Sequence, residues 1–193
     1  APLPSCPENH TCAILDNASI KCWGRGISGQ LGNGATSNQN TPVSVSSIST
    51  ATSVSAGGGH TCALLSGGTV KCWGNGSNGQ LGNGATSNQN TPVSVSSIST
   101  ATSVSAGGGH TCALLSGGTV KCWGYGNYGQ LGQGKPAEER SPPEPITIGS
   151  GGTTATAITT GDAHTCAILD NSSIKCWGLN DSGQLGQESI SDI

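Results

Sequence analysis

His60-Thr61-Cys62-Ala63-Leu64-Leu65 runs into Ser66-Gly67-Gly68 and returns as Thr69-Val70-Lys71-Cys72-Trp73-Gly74. Two short apolar runs on either side of a glycine-rich reversal read as a β-hairpin. A three-residue hairpin loop takes a type I turn followed by a residue at positive φ, and Gly68 suits that last place. Pairing outward sets Leu64 against Val70, Ala63 against Lys71, and Cys62 against Cys72. With Leu65 and Thr69 as a hydrogen-bonded pair, the cysteines fall on a non-hydrogen-bonded pair. There the Cα atoms approach to roughly 4.5 Å, within disulfide reach. The same register predicts Cys12–Cys22, Cys112–Cys122 and Cys166–Cys176. Each bridge closes an 11-residue loop, an entropic restraint of about 2.5–3 kcal/mol on the unfolded chain.

The hairpin is a repeat. Asn33 to Gly74 is identical to Asn83 to Gly124, 42 residues at a shift of 50. His10, His60 and His110 share this period, and His164 follows after 54. Each copy continues past Trp23, Trp73, Trp123 or Trp177 into Gly-Gln-Leu-Gly. A unit of about 50 residues is too short for a domain and fits one supersecondary element that buries its face on its neighbours. Between hairpins lie two more alternating runs, Thr41-Pro42-Val43-Ser44-Val45 and Ala51 to Ala56, which read as strands. The third spacer differs. Lys135 to Pro145 carries five charges and four prolines and reads as an exposed loop. The expected architecture is all-β, a propeller-like array of four-stranded antiparallel blades in one repeat domain. Its divisions are 1–9, a half-blade with linker at 10–41, blades at 42–91, 92–141 and 142–186, and a C-terminal strand at 187–193.

Composition agrees. The 193 residues include 32 Gly and 9 Pro but no Phe or Met, with four Trp and two Tyr. Such a chain builds thin β-layers, not one thick core. Seven Lys plus Arg against ten Asp plus Glu give a formal net charge of −3. Without a basic run there is no footprint for nucleic acid. No apolar run has the length of a membrane span. Nine cysteines at regular spacing point to an oxidising compartment, hence a secreted, extracellular chain. The Ala1-Pro-Leu-Pro start suits a mature form whose leader was removed. Cys6 is the odd cysteine, free or paired with another chain.

Two chemical readings of the core compete. His-x-Cys with a second Cys offers three soft ligands per unit, but structural zinc takes four and the cysteines are placed to bridge each other. The histidines read as packing or hydrogen-bonding residues at strand starts. No cofactor or metal is expected. Catalysis needs convergent titratable groups, and no repeated carboxylate or nucleophile motif accompanies the histidines; no catalytic residue is assigned. Asn9, Asn17, Asn75, Asn171 and Asn180 each open an Asn-x-Ser/Thr pattern, with Asn17 and Asn171 on hairpin tips.

The pattern Gly-x-x-His-Thr-Cys-Ala-Leu-Leu…Val-Lys-Cys-Trp-Gly…Gly-Gln-Leu-Gly, clearest over Gly107 to Gly132, resembles the regulator of chromosome condensation repeat. The paired cysteines resemble the version in secreted members. The resemblance implies four-stranded propeller blades. The family's best-known member is a seven-bladed nucleotide exchange factor on chromatin; with four repeats and no basic tail, this chain does not inherit that activity.

The ends read as unfinished. The first hairpin lacks preceding strands, and Ile190 and Ile193 alternate with polar residues like a strand that opens a further unit. An uncovered sheet edge calls for a partner. The expected function is an extracellular structural protein that self-assembles head to tail through its incomplete terminal blade, into filaments where the rotation fails to close. Cys6 lies beside this joint. The partners are then other copies of the chain. The alternative is a secreted propeller that binds a carbohydrate or protein ligand through blade loops, with Tyr125 and Tyr128 as contacts.

Overall fold

The computed structural model describes residues 9–134, 137–146 and 153–187. Fourteen strands are present among them and no helix, so no described segment is an apolar membrane-crossing helix. The strands form four antiparallel sheets. Sheet 1 holds β1 (His10–Ile14), β2 (Ile20–Gly24) and β3 (Gln39–Ser44). Sheet 2 holds β4 (Ala51–Ala56), β5 (His60–Leu65), β6 (Val70–Gly74) and β7 (Gln89–Ser94). Sheet 3 repeats this with β8 (Ala101–Ala106), β9 (His110–Leu115), β10 (Val120–Gly126) and β11 (Ala137–Ile146). Sheet 4 holds β12 (Ala155–Thr160), β13 (His164–Leu169) and β14 (Ile174–Gly178).

The hairpin register is the expected one. Cys62 stands opposite Cys72 and Leu64 opposite Val70, and the other three hairpins repeat this pairing. All four bridges form, with Cα atoms 4.1 Å apart. The turns divide into two kinds. At the tips of β1–β2 and β13–β14, Ala18 and Ser172 take the single positive φ. In the two glycine hairpins both Gly67 and Gly68, and both Gly117 and Gly118, have positive φ. The expected type I turn is therefore replaced there by one that glycine alone enters cheaply.

Two expectations are corrected. The strand after each hairpin closes the sheet behind it and does not open the next. β3 pairs with β2 and β7 with β6, so the sheets divide between Ser44 and Ala51, Ser94 and Ala101, and Ile146 and Ala155. The boundaries at 42, 92 and 142 fall inside these outer strands and divide each between two blades. The proline-rich third spacer is also a strand, β11, paired with β10. It lies at the outer edge, where a missing N–H costs no ladder bond; Pro42 in β3 and Pro92 in β7 use the same tolerance.

The inner rim is formed by β4, β8 and β12. Ser55 Oγ accepts from the Ala106 N–H, and Ser105 Oγ accepts from the Thr160 N–H, each at 3.0 Å. The Gly58 N–H donates to the Gly107 carbonyl, and the Gly108 N–H to the Asp162 carbonyl. The sheets thus fan outward from a narrow axis. Apolar contact lies between sheets, in three successive layers.

Candidate assembly face

Each layer is asymmetric, and the asymmetry recurs. Between sheets 1 and 2, the first sheet supplies Cys12, Ile20, Cys22 and Leu31, and the second supplies Ala63 and Trp73. Between sheets 2 and 3 the same places hold Cys62, Val70, Cys72 and Leu81 against Ala113 and Trp123. Between sheets 3 and 4 they hold Cys112, Val120, Cys122 and Leu131 against Ala167 and Trp177. Every sheet therefore has a cystine face and a tryptophan face.

The Gly-Gln-Leu-Gly motif is the socket for the next sheet's tryptophan. The Gln30 side chain turns back to accept from the Ser28 N–H, which leaves its main-chain carbonyl facing the neighbour. Trp73 Nε1–H donates to that carbonyl at 2.9 Å. Trp123 donates to Gln80 and Trp177 to Gln130 in the same way, at 2.9 and 3.0 Å. The second glycine makes room for the ring. A Cβ on Gly32 or Gly82 would stand 2.7 Å from the indole nitrogen. Leu31, Leu81 and Leu131 are buried beneath.

A histidine joins this joint. Thr61 Oγ1 donates to the Gln30 carbonyl at 2.8 Å and lies 2.7 Å from His10 Nε2. Thr111 bridges His60 to Gln80, and Thr165 bridges His110 to Gln130. The threonine's one proton goes to the carbonyl, so the histidine Nε2 is the donor and Nδ1 is left bare. Nδ1 of His10, His60 and His110 is buried without a partner. A proton there would find no acceptor among the described protein groups. Burial accordingly lowers His10 to about 4, His110 to about 4 and His60 to about 3; neighbouring histidines add to the effect for His60 and His110.

The outer sheets break the series. Ile174 is 68 % exposed, whereas its counterparts Ile20, Val70 and Val120 are at most 1 % exposed. Ile168 is 45 % exposed against 7 % for Leu64. Among the described residues nothing packs within 4 Å of a Cβ built on Gly186, the socket glycine of sheet 4. At the other end Trp23 and Thr11 are only partly buried, although Trp73, Trp123, Thr61 and Thr111 are fully buried. Among the described residues the arc thus ends in one uncovered cystine face and one only partly covered tryptophan face.

The remaining sequence-derived candidates scatter. Cys6, Ile190 and Ile193 lie outside the described residues. Asn17 and Asn171 are exposed at hairpin tips, each accepting from the hydroxyl two residues on at 2.6 Å. Asn75 is half-buried with the same contact to Ser77, and Asn9 is half-buried near Gly58. Asn180 is fully buried, and its side-chain oxygen accepts from the Leu185 N–H. Tyr125 and Tyr128 meet edge to face with ring centres 5.9 Å apart. Sequence reasoning did not find the socket. Its signal was the one-to-one occurrence of Trp and Gly-Gln-Leu-Gly, which shows their number but not that each tryptophan enters the motif of the preceding repeat.

The architecture is that of a disulfide-stapled β-propeller arc built from one repeated blade. The regulator of chromosome condensation (RCC1) repeat profile matches residues 22–64, 67–114 and 117–168, and a second profile of that repeat matches 51–80, 101–130 and 155–184. The chain belongs to the RCC1 repeat family. Human WBSCR16 is similar in structure, with 25% identity, a TM-score of 0.87, and coverage of 97% of this chain and 50% of that one. Prp20p from Saccharomyces cerevisiae is similar at 18% identity and a TM-score of 0.80, covering 96% of this chain and 47% of the other. The ectodomain of the Physcomitrella patens receptor kinase CR4 shares the fold at 23% identity and a TM-score of 0.59, covering 95% and 43%. The chain therefore spans about half the length of these structures. A search of curated proteins finds no match.

Proposed function

We propose that this chain is a non-catalytic, extracellular structural module whose two outer sheet faces are covered by further copies in head-to-tail assembly. The observation that carries the reading is the exposure of Ile174 at a position that three preceding sheets bury. A large apolar patch that is an interior surface elsewhere in the same molecule is an interface surface. Four bridges across the hairpins support an oxidising compartment. The histidines are occupied in structural relays, which supports a scaffold over an enzyme. Exposed Asn17 and Asn171 would carry glycans at the hairpin tips.

Light scattering across a wide range of concentration tests the assembly reading, with electron microscopy of the products. Mass that rises above the single chain supports it; a single-chain mass throughout overturns it. The second reading, a glycan or protein ligand held by blade loops, has one observation in its favour. Tyr128 is 41 % exposed and braced by Tyr125, a small aromatic platform. A glycan array with a Tyr128→Ala control decides it.

A further inference from the structure

We infer that the turn Gly108-Gly109 is the floor of a carbohydrate subsite, where Tyr125, Tyr128, Asn78 and Asp162 hold one neutral pyranose ring of a glycan. This rests on the ligand-binding reading and names its site and chemistry. The site lies inside the arc, where sheets 2, 3 and 4 meet. Asn78 comes from the loop after β6, and Asp162 from the turn between β12 and β13. Tyr125 lies at the end of β10 and Tyr128 just past it. They converge on two bare glycines. A Cβ on Gly109 would stand 3.3 Å from Tyr125 Cβ and 3.5 Å from the Asn78 side-chain nitrogen, and a Cβ on Gly108 would overlap the Asp162 carboxylate. Both glycines are half-buried, and Asp162 and Tyr128 are exposed. An aromatic face beside amides, a carboxylate and uncovered backbone matches a sugar ring. Its C–H groups pack on the aromatic face, and its hydroxyls exchange hydrogen bonds with the amide, the carboxylate and the phenol.

The fold holds these groups in place. The Asn78 N–H donates to the Gln80 side chain, and the Tyr128 N–H to the Gln130 side chain. The Tyr125 N–H donates to the Gly109 carbonyl and the Gly108 N–H to the Asp162 carbonyl, each at 2.9 Å. The two tyrosines brace each other edge to face. Asn127 Nδ2 donates to the Tyr125 hydroxyl at 3.2 Å, which leaves the phenol proton to donate elsewhere. Groups fixed in this way lose little freedom when a ligand arrives.

The repeat is an internal control. Gly58-Gly59 is the same turn one sheet back. There Asn75 stands in the place of Tyr125 and Asn78 in that of Tyr128, and Gly58 lies against the Gly108 backbone where Gly108 lies against Asp162. The hairpin and the tryptophan socket form in the same way around both sets. Folding therefore requires neither the tyrosines nor the carboxylate, and both tyrosines of the chain fall in this one loop. The charge of Asp162 disfavours acidic sugars. An ammonium ligand calls for a cage of rings, whereas these two rings contact each other and present one platform.

The test titrates the 193-residue chain, disulfides formed, with cellotetraose, mannotetraose, galactotetraose and chitotetraose. Tetragalacturonate, choline and oligoproline are the controls. Saturation-transfer NMR reads contact and calorimetry reads affinity. At least one neutral sugar should bind more tightly than every control. Tyr125→Asn, Tyr128→Asn and Asp162→Gly each install the residue that a preceding repeat already holds in that place, so the fold accommodates them. Each should weaken sugar binding by about tenfold or more and leave the circular dichroism unchanged. A sugar that binds the wild type and all three variants alike overturns this subsite and leaves a ligand on other loops standing. A control that binds best, and is lost in the same variants, overturns the sugar chemistry and keeps the loop site. A wild type that binds no sugar overturns this inference together with the glycan form of the ligand-binding reading.

Discussion

At the scale of single residues, the molecule depends on a hydrogen-bond chain that propensities do not show. Thr111 is the hinge of one such chain, accepting from His60 and donating to the Gln80 carbonyl. Thr111→Val keeps the shape and removes both contacts, leaving a buried imidazole N–H without an acceptor. The expected cost is about 1–3 kcal/mol, read by denaturant unfolding, and Thr111→Ser should recover most of it. A full-stability Thr111→Val protein would show the chain to be incidental. The same sites set the acid response. His10, His60 and His110 have folded values of about 4, 3 and 4 against the usual 6.5. Between those limits the unfolded chain binds protons that the folded chain refuses. Stability is therefore full above pH 6.5 and falls as the pH drops toward 4, by on the order of 3 kcal/mol for each histidine. Unfolding midpoints measured from pH 7.5 downward check this; a flat profile would exclude the buried neutral histidines.

At the scale of elements, the sequence was most legible where the physics is local. The Cys62–Cys72 pairing follows from a loop length and a two-residue period, and it appears as expected, with a Cα separation of 4.1 Å. The ownership of Gln39–Ser44 was not legible, because a perfect repeat has no marked beginning and either flanking hairpin satisfies the same alternation. Strand β11 was hidden for another reason. Its prolines argue against a central strand, and only its outer position removes the objection. The socket required knowing which sheet faces which, a fact that sits 43 residues away in the contact of Trp73 with Gln30. The local elements still bear much of the stability. Replacing both Cys62 and Cys72 by Ala releases the restraint on one 11-residue loop and should lower unfolding free energy by about 2.5–3 kcal/mol. Loss of only a few tenths would mean that residual local structure already keeps the two ends of this loop together in the unfolded ensemble.

At the scale of the whole molecule, the near-identity of the repeats makes the chain its own control. In a linear array, stability is the sum of a unit's own terms and those of its neighbours. The β5–β6 and β9–β10 hairpins each lie between two other sheets, whereas among the described residues β13–β14 has a neighbouring sheet on one face only. Its core sequence differs little: His-Thr-Cys-Ala-Ile-Leu replaces His-Thr-Cys-Ala-Leu-Leu, and Ile174 replaces Val120. A large difference in local opening then comes from the missing neighbour and from the missing outer strand, since sheet 4 has three described strands against four in sheet 3. Native-state hydrogen exchange at low protein concentration isolates this term. Amides of Cys166 and Ile168 should exchange well before those of Cys112 and Leu114, since opening sheet 4 exposes one apolar layer and opening sheet 3 exposes two. Raising the concentration should then slow exchange in sheets 1 and 4 and leave sheets 2 and 3 as they were, because only the end sheets gain a face. Equal protection of all four hairpins in the dilute chain would mean that the bridges, present in every sheet, govern opening by themselves and that the layers between sheets contribute little.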